Sequence, residues 1–155
     1  MSEQNSQFNL VQLSNVANTC TCFNLRKATR VVTQFFDEQL KPSGLLITQF
    51  TILVAIAQIS SGTINDLADR LVMDRTTLTR NLKPLQREGF VTIQLGEDRR
   101  IRIVSLTAKG RDTLATALPL WEQAQTSVID GLGKQQWNSL LIALSNTVFL
   151  AHESL

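Results

Sequence analysis

The 155-residue chain is 43% hydrophobic and 18% charged, with a net charge of +2. That balance excludes an intrinsically disordered polypeptide, and no apolar run reaches the ~18 residues of a membrane span. The length suits one domain, or a small domain with an oligomerisation part, and is enough to bury a core. The first residues, MSEQNSQFNL, lack a basic segment followed by an apolar one, so a cytoplasmic protein is expected. Two cysteines do not make a disulfide framework.

Residues 8–40 place Val16, Phe23, Ala28, Val31, Val32, Phe35, Phe36 and Leu40 at helical spacing, which predicts a long helix over about 18–40 after a shorter helical segment. Large apolar groups in such number point to an interface, which Phe8, Leu10, Val11 and Leu13 join. Cys20-Thr21-Cys22 is the unusual feature here. On a continuous helix, residues i and i+2 point roughly 200° apart, so the two thiols neither chelate one ion nor join each other. An extended segment, or a helix capped by Thr19, would present both together, as a sensor of oxidants or arsenite-type species requires. The plainer alternative is two small packing residues.

Lys41-Pro42-Ser43-Gly44 breaks the helix. A mostly buried helix follows from Thr48, with Phe50, Leu53, Val54 and Ala57 at helical spacing, and ends at Ser60-Ser61-Gly62. Thr63 caps the next helix, and Asp66 nearly completes a capping box. Leu67, Ala68 and Leu71 form its inner face, and Val72-Met73 makes a turn without the usual glycine. Asp74 then caps a helix that Gly89 ends. Leu78, Leu82 and Leu85 give that helix one apolar stripe, leaving Arg75, Thr76, Thr77, Thr79, Arg80, Lys83 and Arg87 for the outer surface. Two short helices, the second basic and outward-facing, are the helix-turn-helix arrangement. Pro84 predicts a bend but no break, because Leu85 stays in phase.

After Gly89 the period changes to two. Phe90–Leu95 and Ile101–Leu106 read as a hairpin around Gly96-Glu97-Asp98-Arg99-Arg100. A hairpin directly after a basic helix is a wing, and arginine at its tip suits a minor groove. Asp98 stands two residues from Arg100 and is placed to brace it; an ordinary solvated ion pair is the alternative. Thr107 caps a helix over AKGRDTLATALPLWEQAQTSVIDGL with Leu114, Leu118, Trp121, Val128 and Leu132 on its apolar side, kinked at Pro119 and ended by Gly131 and Gly133. The last helix, about Lys134 to His152, repeats the pattern with Trp137, Leu140, Leu141, Leu144 and Val148. Both have more apolar face than the central unit covers, which calls for a second subunit.

Charge by region agrees. Residues 63–111 hold ten basic and six acidic side chains, a surplus of +4, so the remainder sums to −2. The middle third is built to meet phosphates and the ends to do something else.

The run INDLADRLVMDRTTLTRNLKPLQREG from Ile64 to Gly89, and DRRIRIVSLTAKG from Asp98 to Gly110, resemble the MarR family of bacterial transcription regulators. Asp98, Arg100, Leu106, Thr107 and Gly110 meet the family's wing pattern in order, and the resemblance covers essentially the whole chain. It implies a fold that is mainly α with a small β-hairpin wing: a winged helix-turn-helix domain plus a helical dimerisation region. The segments are 1–45 for amino-terminal dimerisation helices, 46–110 for the DNA-binding domain and 111–155 for carboxy-terminal dimerisation helices. It also implies a homodimer that represses by binding a near-palindromic double-stranded operator, and that lets go on sensing a small molecule, an oxidant or a soft metal ion. Carried over, Arg75, Thr76, Thr77 and Arg80 face DNA and Arg100, braced by Asp98, enters the minor groove; Thr79 and Lys83 of the same helix and Arg99 and Arg102 of the wing join the DNA-facing set by their position and chemistry. Cys20 and Cys22 are the candidate sensing residues. No cofactor, resident metal or membrane partner is expected; His152 is the only histidine. Trp121 and Trp137 read as core and interface anchors, or as walls of an effector cleft. The rival readings are a winged-helix module that binds protein only, which the basic middle opposes, and a thiol peroxidase, which lacks a general base near its cysteines in sequence.

Overall fold

Cys20 divides the amino-terminal helical region in two. In the computed structural model, which describes residues 9–153, α1 (Leu10–Thr19) ends there and α2 (Thr21–Leu40) begins. The long helix therefore starts later than its periodicity suggests, because Cys20 is extended (φ −66°, ψ 115°) and its Sγ accepts from the Phe23 N–H at 3.5 Å. Of the two alternatives, an extended segment or a Thr19 cap, the extended one is seen at Cys20, and Thr19 donates its hydroxyl to the Asn15 carbonyl at 2.8 Å. Phe8 lies outside the described residues, as does the His152 side chain.

A 3-10 turn over Lys41–Ser43 closes at Gly44 (φ 75°) and leads into α3 (Ile47–Ile59), whose first N–H donates to Asp37 Oδ1 at 2.7 Å. Phe50, Ile52, Leu53, Ala55 and Ile56 of α3 are buried, while Val54 is half-buried and Ala57 exposed. A helix apolar on nearly every side has no unique stripe, which is why spacing alone misplaced part of its inner face. Then come β1 (Gly62–Thr63), α4 (Ile64–Arg70), α5 (Arg75–Arg87), β2 (Val91–Leu95) and β3 (Arg102–Leu106). The expected hairpin runs in register from Val91 opposite Leu106 to Leu95 opposite Arg102, but the sheet has three antiparallel strands in the order β1-β3-β2. Two-residue β1 is too short to show a period, and its pairing of Gly62 with Val104 anchors the wing to the helical body.

The chain ends in α6 (Ala108–Leu132) and α7 (Lys134–Glu153), separated by Gly133 at φ 81°. Gly131 lies inside α6, and neither Pro84 nor Pro119 ends its helix. Along α6 the buried positions are Gly110, Leu114, Ala117 and Ala124, whereas Leu118 and Leu132 are each 40% exposed. One core joins Leu40, Leu53, Ile56, Leu67, Leu78, Leu82, Leu85, Val104 and Ala117, so the three segments expected from the sequence share a single interior. Trp121 stacks on Phe50, ring centroids 6.1 Å apart.

The two ends contrast with that interior. α1 packs chiefly on α2, and α7 on α6. Neither α1 nor α7 buries an apolar residue among those described, and Leu10, Val11, Ile142 and Phe149 are 79%, 76%, 63% and 61% exposed. Val31 and Val32 extend the apolar surface onto α2. No single helix among the described residues is long and apolar enough to cross a membrane.

Candidate nucleic-acid interface

Side-chain caps fix the start of both helices of the helix-turn-helix, and the first of them is reciprocal. At α4, Thr63 Oγ1 accepts from the Asp66 N–H at 3.0 Å, while Asp66 Oδ2 accepts from the Thr63 N–H at 3.1 Å and its hydroxyl at 2.8 Å. At α5, Asp74 accepts from the Thr77 N–H at 2.8 Å and from its hydroxyl at 2.5 Å. The Thr63 hydrogen bonds hold the Asp66 carboxyl below its ordinary pKa, and those of Thr77, with a smaller contribution from the charge of Arg80, do so for Asp74.

Between them the turn closes without glycine. Val72 takes φ 50°, its N–H donating to the Asp69 carbonyl and that of Met73 to the Ala68 carbonyl at 2.9 Å. The end of α5 repeats this pairing with Gly89 at φ 77°, where the Phe90 N–H reaches the Leu85 carbonyl at 2.9 Å. Leu78, Leu82 and Leu85 are fully buried, which fixes which side of α5 faces out.

Arg75, Thr76, Thr77, Arg80 and Lys83 are exposed along that outer side. Thr79 is half-buried, and its hydroxyl donates to the Arg75 carbonyl at 2.7 Å. Thr77 and Thr79 therefore hold the helix with their hydroxyls, leaving Thr76 as the threonine whose hydroxyl makes no hydrogen bond among the described residues. In the wing, Arg99, Arg100 and Arg102 are exposed. The expected brace from Asp98 exists in another form: Oδ1 accepts from the backbone N–H of Arg100 at 2.9 Å, and the only ion pairs among the described residues are Lys41–Glu38 and Arg87–Glu88. With the Ile101 N–H donating to the Asp98 carbonyl and the Gly96 N–H to that of Ile101, both at 2.9 Å, the tip is held by its backbone.

Of the ten basic side chains in residues 63–111, four are engaged. Arg70 donates to Gln58, Lys109 to the Glu88 carbonyl and Arg111 to the Leu106 carbonyl, while Arg87 lies 3.9 Å from Glu88. The other six are Arg75, Arg80, Lys83, Arg99, Arg100 and Arg102, and no side-chain hydrogen bond or ion pair engages them among the described residues. All six stand on α5 or the wing. Arg75, Arg100 and Arg102 meet around one cleft of about 210 Å³, together with Thr63, Asn65, Asp66 and Ile101. Sequence reasoning passed over Asn65, an uncharged residue whose place in the cleft depends on the fold.

One residue joins the two parts. The Thr107 hydroxyl donates to the Gly89 carbonyl at 2.6 Å and accepts from the Gly110 N–H at 2.9 Å, while the Thr107 N–H donates to the Phe90 carbonyl at 3.0 Å. Lys109 lies 5.0 Å from the centre of the Phe90 ring.

Elsewhere, Cys20 is half-buried, Cys22 is exposed, and both are free thiols. No group of three His, Cys, Asp or Glu side chains is placed to hold a metal among the described residues. A cavity of about 360 Å³ lies between the end of α3, the end of β3 and α6, with Leu114 and Leu118 opposite Arg111.

The MarR family model matches residues 45–101, from the entrance of α3 to the wing tip. The structure of the M. tuberculosis transcriptional regulator MosR in complex with DNA is 39% identical, covers 86% of this chain and 97% of that one, and aligns with a TM-score of 0.80. The chain belongs to the MarR family. The transcriptional repressor CouR, bound to a 23-mer DNA duplex, is 26% identical over 92% of this chain and 99% of that one, with a TM-score of 0.77. The HTH-type regulator YwoH of Bacillus subtilis strain 168 is 31% identical over 54% of this chain, and the match spans 61% of the length of YwoH. MarR membership makes this chain a winged-helix, DNA-binding transcription regulator, and sets aside the peroxidase and the protein-only module.

Proposed function

We propose that this MarR-family protein is a cytoplasmic homodimeric repressor that grips a near-palindromic operator with α5 in the major groove and the wing tip in the adjacent minor groove. The observation carrying this reading is the segregation of charge: six basic side chains without internal ion pairs all face outward from α5 and the wing. Thr76, Arg75 and Arg80 contact bases and phosphates, Lys83, Arg99 and Arg102 contact phosphates, and Arg100 enters the minor groove from the backbone platform that Asp98 holds. Thr77 and Thr79 support the helix from within. Residues 1–45 and 111–155 supply the dimer contacts and 46–110 the reading head, a division of labour within one shared core. The exposed apolar faces of α1, α2 and α7 favour the dimer, and two heads set about 34 Å apart would read half-sites one helical turn apart.

For the releasing signal, the reading favours a thiol-reactive species, an oxidant or an arsenite-type compound, acting at Cys20 and Cys22. Cys20 Sγ caps α2, so modifying it removes that cap at the junction between α1 and α2, and Cys22 stands exposed in the first turn of the same helix. A planar anionic effector in the cavity beside Arg111 is the second reading.

The test is a footprint of the purified protein on DNA upstream of its own gene, followed by titration of the protected duplex and a scrambled one. Arg100→Ala is expected to weaken binding, and Thr76→Ala to change base preference. Operator release by peroxide or arsenite that persists in the Cys20→Ser, Cys22→Ser double variant would remove the thiol reading.

A further inference from the structure

Three arginines reach one small space from two separate elements. Arg75 opens α5, Arg100 closes the wing turn and Arg102 begins β3, and all three line the cleft of about 210 Å³ with Asn65. The one carboxylate among the lining residues, Asp66, has its Oδ2 engaged by the N–H and hydroxyl of Thr63. The cleft is left with a surplus of two positive charges, and an anion seated there would relieve their mutual repulsion. Guanidinium groups suit phosphate oxygens, which they bind through paired N–H donors.

The position of the cleft says which anion. In a duplex, the major groove and the next minor groove are separated by one sugar-phosphate strand. A helix in the first groove and a wing tip in the second must straddle that strand, and the cleft lies between the amino-terminal ends of α4 and α5 on one side and the wing on the other. We propose that the cleft seats a single phosphodiester of the intervening strand, shared by Arg75 from the helix side and Arg102 from the wing side, with the Asn65 amide as a third donor. The proposal rests on the reading that α5 and the wing occupy adjacent grooves. Asn65 is then a DNA-positioning residue, exposed and with no side-chain hydrogen bond among the described residues. Arg100, on the rim of the same cleft, remains available to the minor groove.

Sharing one phosphate has a consequence that separate contacts lack. Each neutralised phosphate contributes about 0.9 to the slope of log affinity against log salt. The experiment uses the full-length protein and a mixed-sequence duplex, titrated across salt for wild type, Arg75→Ala, Arg102→Ala and the double variant. If the seat is shared, the double variant loses about one phosphate per subunit from the slope, and each single variant loses only part of that. Additive losses of about two per subunit in the double variant would overturn the proposal while leaving DNA binding intact. A wild-type protein without salt-dependent duplex binding would overturn the reading beneath it as well. Asn65→Ala is expected to weaken binding about threefold, the worth of a neutral hydrogen bond, with the slope unchanged. Asn65→Asp, which adds a negative charge to the seat, is expected to weaken binding well beyond that; Asn65→Asp binding as well as Asn65→Ala would place Asn65 outside the seat.

Discussion

Asp98 holds Arg100 by its backbone: the carboxylate accepts from the N–H at 2.9 Å, and no ion pair joins it to the guanidinium. The side chain proposed to reach DNA is therefore not spent on its own support. Asparagine keeps an oxygen in the same place and carries no charge to repel phosphates. Asp98→Asn is thus expected to bind duplex at least as tightly as wild type in a fluorescence-anisotropy titration, whereas Asp98→Ala loses the turn and binds about tenfold more weakly. Equal weakening by both would mean that the negative charge itself is required.

Gly110 stands against the carbonyl of Phe90 so closely that a Cβ added there would lie 2.0 Å from the oxygen. That neighbour is backbone and cannot swing aside. Gly110→Ala is expected to destabilise the fold by about 3 kcal/mol, at the upper end of overpacking costs, measured as a lower urea midpoint. A change within experimental error would show that α6 slides freely past the sheet exit.

Val72 occupies the left-handed region with a branched side chain that is 59% exposed. The conformation costs a non-glycine residue roughly 1–2 kcal/mol. Glycine removes the strain and adds flexibility to the unfolded chain, so Val72→Gly is expected to raise stability by about 0.5–1 kcal/mol. Thermal unfolding with DNA affinity as the control measures it; a lower Tm would mean that Val72 contributes packing worth more than its strain.

Both helix caps carry an acid signature. Asp66 and Asp74 are held below their ordinary pKa by hydrogen bonds from Thr63 and Thr77. A depressed folded value means that the caps stabilise fully above the unfolded value and lose that effect as pH falls through the folded one. Below about pH 4, the helix-turn-helix is expected to loosen in wild type, and the Asp66→Asn, Asp74→Asn double variant to show a shallower decline over the same window by circular dichroism. Parallel curves would assign the acid sensitivity to other carboxylates.

Ile142 and Phe149 are more than half exposed on α7, which packs chiefly on α6. In the proposed dimer, charges there would meet an apolar surface on a second subunit and leave the shared core untouched. Ile142→Asp with Phe149→Asp is expected to sediment as a monomer and to bind a two-half-site duplex at least tenfold more weakly. A variant that remains dimeric would move the interface elsewhere.

How far the sequence could be read depended on how much local chemistry each element carries. The caps at Thr63, Asp74 and Thr107 and the buried stripe Leu78, Leu82 and Leu85 were legible because each is a short-range pattern. A break before the long helix was also legible, near residue 18, but its position at Cys20 was not, since a thiol is an uncommon cap. Strand β1 escaped because its two residues pair with β3 some forty positions away. The cleft was hidden for a related reason. Asn65 and Arg75 stand on different helices and Arg102 on the wing, and no short-range spacing links the three, so folding brings their side chains to one place.

Thr107 bonds to Gly89 beyond the end of α5, to Phe90 at the start of the wing and to Gly110 in the first turn of α6. A joint with three such attachments has little freedom to open on one side only. If α6 swivels, both grasping elements travel with it as one tool on a handle, and their grip keeps its shape. Regulation imposed through the terminal helices would then act on the span between two tools, as callipers are set by their pivot.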